Sequence, residues 1–230
     1  MSAIGKKSAV VSLGMSCQSA VQIEANADAI GKAWGDTLTT SGMPFDWLIC
    51  PPHSVHEILS SDTFFPSRQD QMVLSPHPCW KERDICFWHE FRSRRWSLPR
   101  LMGRRFDIRS NYKTAVEKYS YLANKFRTLA QLDRLVFVIC NTQNNLPFVQ
   151  ERTAIDYVLS AEAIERLCDT CDRYFHRSCE YLFVTYQDRV KGNPSRDNLT
   201  VFKLVPDESE WTGDSTQWRN LFAEYFQKSV

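Results

Sequence analysis

Apolar residues in this chain follow two rhythms. Nearly uninterrupted apolar runs at 10–13, 135–140, 181–186 and 199–205 have strand length, and the later ones read as strands covered on both faces. Between them the spacing changes to three and four residues. Over 111–131 the recurring set is Tyr112, Val116, Tyr119, Leu122, Phe126 and Leu129; over 161–175 it is Ile164, Leu167, Cys168, Cys171, Tyr174 and Phe175. Shorter helices are predicted at 17–24 and 54–60. Asp214 and Gln217 have capping-box spacing for a last helix that faces Trp218, Leu221, Phe222 and Tyr225 inward. Helices alternating with apolar strands predict an α/β fold, a mostly parallel central sheet with helices on both faces.

The remaining stretches are less regular. Residues 26–43 are polar with three glycines and read as a surface loop or a frayed helical extension; 61–84 read as turns. Strict alternation over 85–91 predicts a strand with Ile85, Phe87, His89 and Phe91 on one face and Cys86, Trp88 and Glu90 on the other. At MPFDWLICPP, Asp46 sits between two aromatics. It must be paired or hydrogen-bonded, as a turn cap or as a site residue.

With 230 residues and 43% hydrophobic positions, the chain fits one domain, 1–230, with a substantial core. A net charge of +1 points to no nucleic-acid, membrane or acidic partner, and no run has transmembrane length. Five of the eight cysteines lie in or beside apolar runs, which favours reduced, packed thiols and a cytoplasmic setting. Seven arginines with Trp96 and Phe106 crowd 92–109. The near-zero net charge favours a solvated connection there over a phosphate- or polymer-binding stripe. Cys168, Cys171, His176 and Cys179 have the types of a zinc set. The first two lie on a helical apolar stripe with no glycine turn to wrap an ion, so no metal or cofactor is expected.

The chemistry concentrates where the first strand ends. Gly14 suits a tight turn and Ser16 a helix N-cap, which places Cys17 in the first helical turn, where free N–H groups and the helix dipole favour a thiolate. Cys17 also shares a helical face with Ala20 and Val21, as a packed thiol would. Lys6 and Lys7 before a short apolar run give a third reading, a lipoprotein signal. His89 is read as a core histidine or a base. The polar cluster 141–145 follows a central strand at its carboxyl end, where open α/β sheets bind ligands.

Taken in order, SLGMSCQSAVQ around Cys17, MPFDWLI around Asp46 and WHEF around His89 resemble the motifs of a chiefly bacterial family described as papain-like cysteine peptidases. They cover roughly the first 40% of the chain. The resemblance implies Cys17 as nucleophile and His89 as base, with Asp46 in the same site, acting on a peptide or a small amide or ester. It also offers an α+β, papain-like alternative for the fold. Glu90 stands where the family has aspartate, and no glutamine precedes the cysteine as in papain. The oxyanion hole then falls to backbone N–H groups at Cys17 and Gln18 or to the Gln18 amide. Asp46, Glu90 or Asn141 would orient the imidazole. The rival reading is a binding protein without chemistry that recognises an anionic or glycan-like ligand through 141–145 and the arginine stripe. A third is an esterase using Ser16, for which His176 is poorly placed.

Overall fold

The computed structural model describes residues 7–34, 42–75, 77–93, 106–153, 155–207 and 209–228. In chain order the elements are β1 (Ser8–Met15), α1 (Gln18–Ala25), α2 (Ala27–Trp34), α3 (Pro52–Ser61), β2 (Met72–Leu74), β3 (Pro78–Trp80), β4 (Ile85–Cys86) and α4 (Ile108–Thr128). There follow β5 (Arg134–Cys140), α5 (Leu146–Gln150), β6 (Leu159–Ser160), α6 (Ala161–Phe175), β7 (Glu180–Thr185), β8 (Val190–Lys191), β9 (Leu199–Lys203) and α7 (Ser215–Lys228).

The central sheet has the order β1-β5-β7-β9, and every pair is parallel. Alternation along the strands divides the core in two. Val10, Val136, Val138, Leu182 and Val184 meet Ile23 of α1, Ile30 of α2 and Trp218, Leu221 and Phe222 of α7. The opposite face carries Val11, Phe137, Ile139, Tyr181 and Phe183 against side chains of α3, α4 and α6. Helices thus cover both faces, the α/β arrangement that the apolar pattern predicts. Among the described residues no helix is long and apolar enough to cross a membrane.

The less regular stretches fare differently. Polar 26–43 begins with a helix, α2, tethered by Ile30, while 35–41 lie outside the described residues. Most of the arginine stripe, 94–105, also lies outside them. The strand predicted over 85–91 stops at Cys86, and Phe91 adopts a left-handed φ of 61°. The cause is aromatic packing. Phe87 and Phe91 both enter a cluster with Phe65, and the chain must loop between them, which swings His89 out of the alternation. Within the turn-rich 61–84, β2 pairs with β3, and β3 pairs on with β4, as a small antiparallel sheet whose two- and three-residue strands are too short to carry a period.

Gly14 is the tightest point of the first strand. Its φ is +87°, and a Cβ there would lie 2.9 Å from the Cys50 carbonyl oxygen. Gly14→Ala is expected to lower the unfolding free energy by about 1–3 kcal/mol, measured by urea denaturation. An unchanged midpoint and slope would show that this turn relaxes freely.

Candidate functional site

The strand run at 10–13 is the heart of β1, paired with β5. Past its last residue the backbone knits the three sequence motifs together. Met15 O accepts from Cys50 N at 3.0 Å, and Ile49 and Cys86 exchange both backbone hydrogen bonds, at 2.9 and 3.0 Å. The segment carrying Asp46 and Trp47 therefore runs between the end of β1 and the strand that precedes His89. Trp47 meets the His89 ring edge-on, with centroids 5.3 Å apart.

The side chains of the motifs have separate partners. Cys17 occupies the N-cap of α1, one position before the first helical residue, and is only 5% exposed. Its thiol donates to Gln143 Oε1 at 3.7 Å, and no hydrogen bond joins it to His89. Burial pushes the Cys17 pKa up to about 11; the backbone N–H at the helix start and Gln143 pull the other way. This corrects the expectation of a favoured thiolate, because desolvation outweighs the helix end. His89 is half-buried, and its pKa is lowered by burial and by Arg92 and Lys118, with Glu90 opposing. Glu90 itself pairs with Lys118 of α4.

Asp46 is buried, and its carboxylate accepts the Met43 N–H at 2.8 Å and the Gly42 N–H. It caps its own turn, the first of the two roles open to it in the sequence. Burial raises its pKa to about 6 against the two N–H bonds and Lys125.

A polar layer closes the carboxyl ends of β1, β5 and β7. Gln18 Oε1 accepts from Thr142 Oγ1 at 2.7 Å and from the Cys140 thiol at 3.1 Å. Asn141 Nδ2 donates to the carbonyls of Tyr157 and Arg189, both at 2.8 Å. Arg189 answers through Nη1, donating to Asn141 O at 2.8 Å and Gln143 O at 2.9 Å. Its guanidinium lies 5.0 Å from the Tyr157 ring centroid and 4.8 Å from that of Tyr186. The residue is 5% exposed, and among the described residues no carboxylate pairs with it. The sequence places the polar cluster 141–145 at the carboxyl end of a central strand but does not single out Arg189. One signal was available, an arginine three residues past the strand-like run 181–186. Nothing in the pattern, however, marks it as buried.

Ser16 Oγ is buried without a partner, and His176 caps the far end of α6, where the chain enters β7 at the amino edge of the sheet. Parallel strands put that edge opposite the end of β1, so the Ser16–His176 esterase pairing does not form. Cys168 and Cys171 are fully buried on α6, and among the described residues no cluster of three or more ligating side chains is placed to hold a metal.

No protein-family model matches the sequence, no curated protein is detectably similar to it, and no solved structure matches it.

Two measurements follow from these environments. Folded Cys17 is expected to react with iodoacetamide at pH 7 at least about tenfold more slowly than in urea-unfolded chain, read by peptide mass spectrometry; equal rates would contradict the buried, protonated thiol. Because the folded pKa of Asp46 lies above its unfolded value, its contribution to stability is complete below about pH 4 and lost as pH rises through about 6. The stability of wild type relative to Asp46→Asn should therefore fall between those values and be flat above them. Paired urea titrations that gave a rising or constant difference would refute the assignment.

Proposed function

We propose that this protein binds an anionic small molecule at the carboxyl edge of its parallel sheet, with Arg189 as the recognition cation and the 141–145 turn as its frame. One observation carries the reading: a buried guanidinium held by two carbonyls and two tyrosine rings, with no carboxylate partner among the described residues. An uncompensated buried charge costs several kcal/mol. Carbonyl dipoles and aromatic faces recover part of that cost, and an incoming anion recovers more. The guanidinium makes no hydrogen bond through its other N–H groups among the described residues, which leaves a fork suited to a carboxylate or phosphate. The location agrees with the general preference of parallel sheets for ligands at this edge. Eight cysteines, all buried and unpaired, are in keeping with a reducing, cytoplasmic compartment.

The test is thermal denaturation with inorganic phosphate or succinate against sodium chloride of equal ionic strength. At ten times Kd the wild type gains about 1.4 kcal/mol. Arg189→Lys keeps part of the gain, and Arg189→Gln loses it. A gain of the same size in Arg189→Gln, or none in the wild type, overturns the reading.

A second reading, acyl transfer by a papain-like cysteine peptidase, is favoured by the backbone bonds that set the three motif segments side by side. In it His89 takes the Cys17 proton, and the thiolate attacks a peptide, ester or thioester carbonyl. His89 then protonates the leaving group and water releases the acyl enzyme. Asp46 would orient the imidazole, with Gln18, Glu90 and Asn141 in support. Its test is a panel of peptide, ester and thioester substrates: hydrolysis that disappears in Cys17→Ala supports it, and hydrolysis that persists in that variant removes it.

A further inference from the structure

A pair of facing cysteines lies away from the sheet edge, in the small antiparallel sheet. Cys79 of β3 and Cys86 of β4 are directly opposed. The flanking bond from Phe87 N to Pro78 O, 2.8 Å, identifies this as a non-hydrogen-bonded pair, the register in which opposed side chains come closest. Such a pair has Cα atoms about 4.5 Å apart, within the range a disulfide spans. The Cys79 thiol donates to the carbonyls of His77 at 3.3 Å and Ser75 at 3.7 Å, and its closeness, together with burial, holds the Cys86 thiol protonated. Both cysteines line a cavity of about 330 Å³, with Trp80, Arg152 and Ile155 among its walls. The cavity gives a small reagent a route to sulfur atoms that are otherwise buried. The other neighbouring thiols differ: Cys168 and Cys171, both on α6, have no exposed surface, and Cys17 and Cys140 lie in the polar layer.

We propose that Cys79 and Cys86 form a reversible disulfide when the chain meets a peroxide. The reaction proceeds in two displacements. Cys79, as thiolate, attacks a peroxide oxygen while Cys86 stays protonated; the O–O bond breaks, water leaves after taking up a proton, and Cys79 becomes a sulfenic acid. The second sulfur then displaces the hydroxyl group as a second water, and the S–S bond forms. Two thiols are oxidised by two electrons and one peroxide is reduced to two waters. The bond would fasten β3 to β4. Cys86 also exchanges both backbone hydrogen bonds with Ile49, so the same bond would stiffen the segment that holds Trp47 against His89.

The experiment treats the full-length wild-type chain with a slight excess of hydrogen peroxide, blocks the remaining thiols, and maps disulfides in a non-reduced digest. The expected result is a peptide pair joined through Cys79 and Cys86 as the first disulfide to appear, a loss of two free thiols of the eight, and full recovery with dithiothreitol. A first bond between any other pair, a disulfide between two chains, or eight unchanged thiols each overturns the proposal. Cys79→Ser and Cys86→Ser provide a second check, since either is expected to abolish the early loss of thiols. If both variants lose two thiols at the wild-type rate, the assignment fails.

Discussion

A parallel sheet exposes no face to water, and most of this structure follows from that requirement. Strands β1, β5 and β7 are apolar on both sides, so each needs helices above and below, and the chain supplies α1, α2 and α7 to one face and α3, α4 and α6 to the other. The helices cover faces, not ends. Where the strands stop at the carboxyl edge, backbone carbonyls and turn residues are crowded together with little water, and they have to satisfy one another. Gln18 with Thr142, Asn141 with the Arg189 carbonyl, and Arg189 with two carbonyls in return are that solution. Arg189 exceeds what such closure requires, because it brings a full charge where a neutral donor would have sufficed.

The same crowding decides the state of Cys17. Its place at the start of α1 favours the thiolate by about 0.3–1 kcal/mol. Moving its pKa from the ordinary 9.0 to about 11 corresponds to about 3 kcal/mol in the other direction. Burial therefore wins. Asp46 shows the same balance from the acid side: two backbone N–H groups hold the carboxylate, yet desolvation still raises its pKa to about 6. Both groups sit in motifs that resemble a catalytic set, and in this structure each is engaged by its own local partner.

The three motif segments nevertheless lie side by side. Two strand-like contacts, Met15 with Cys50 and Ile49 with Cys86, join pieces of chain about 35 residues apart in each case. The aromatic cluster of Phe65, Phe87 and Phe91 closes this part of the core from below. It also bends the chain at Phe91, and that bend sets where His89 points. A histidine that strict alternation would bury beside Phe87 is instead half-buried against Trp47. The position of one imidazole thus depends on where two neighbouring phenylalanines find room.

The sequence determined the α/β class, the strands later seen as β5, β7 and β9, the helices α4, α6 and α7, and the polar end of β5. Each of these rests on a local signal, a run of apolar residues or a three-to-four spacing that only one secondary structure can bury. Tertiary structure alone decided which groups meet. The pairing of Cys17 with Gln143, the burial of Arg189 between two tyrosines and the opposition of Cys79 to Cys86 all join parts of the chain that no window of sequence holds together. The titration of Cys17 and Asp46 was hidden for the same reason. It depends on how completely water is excluded, and exclusion is a property of the packed core.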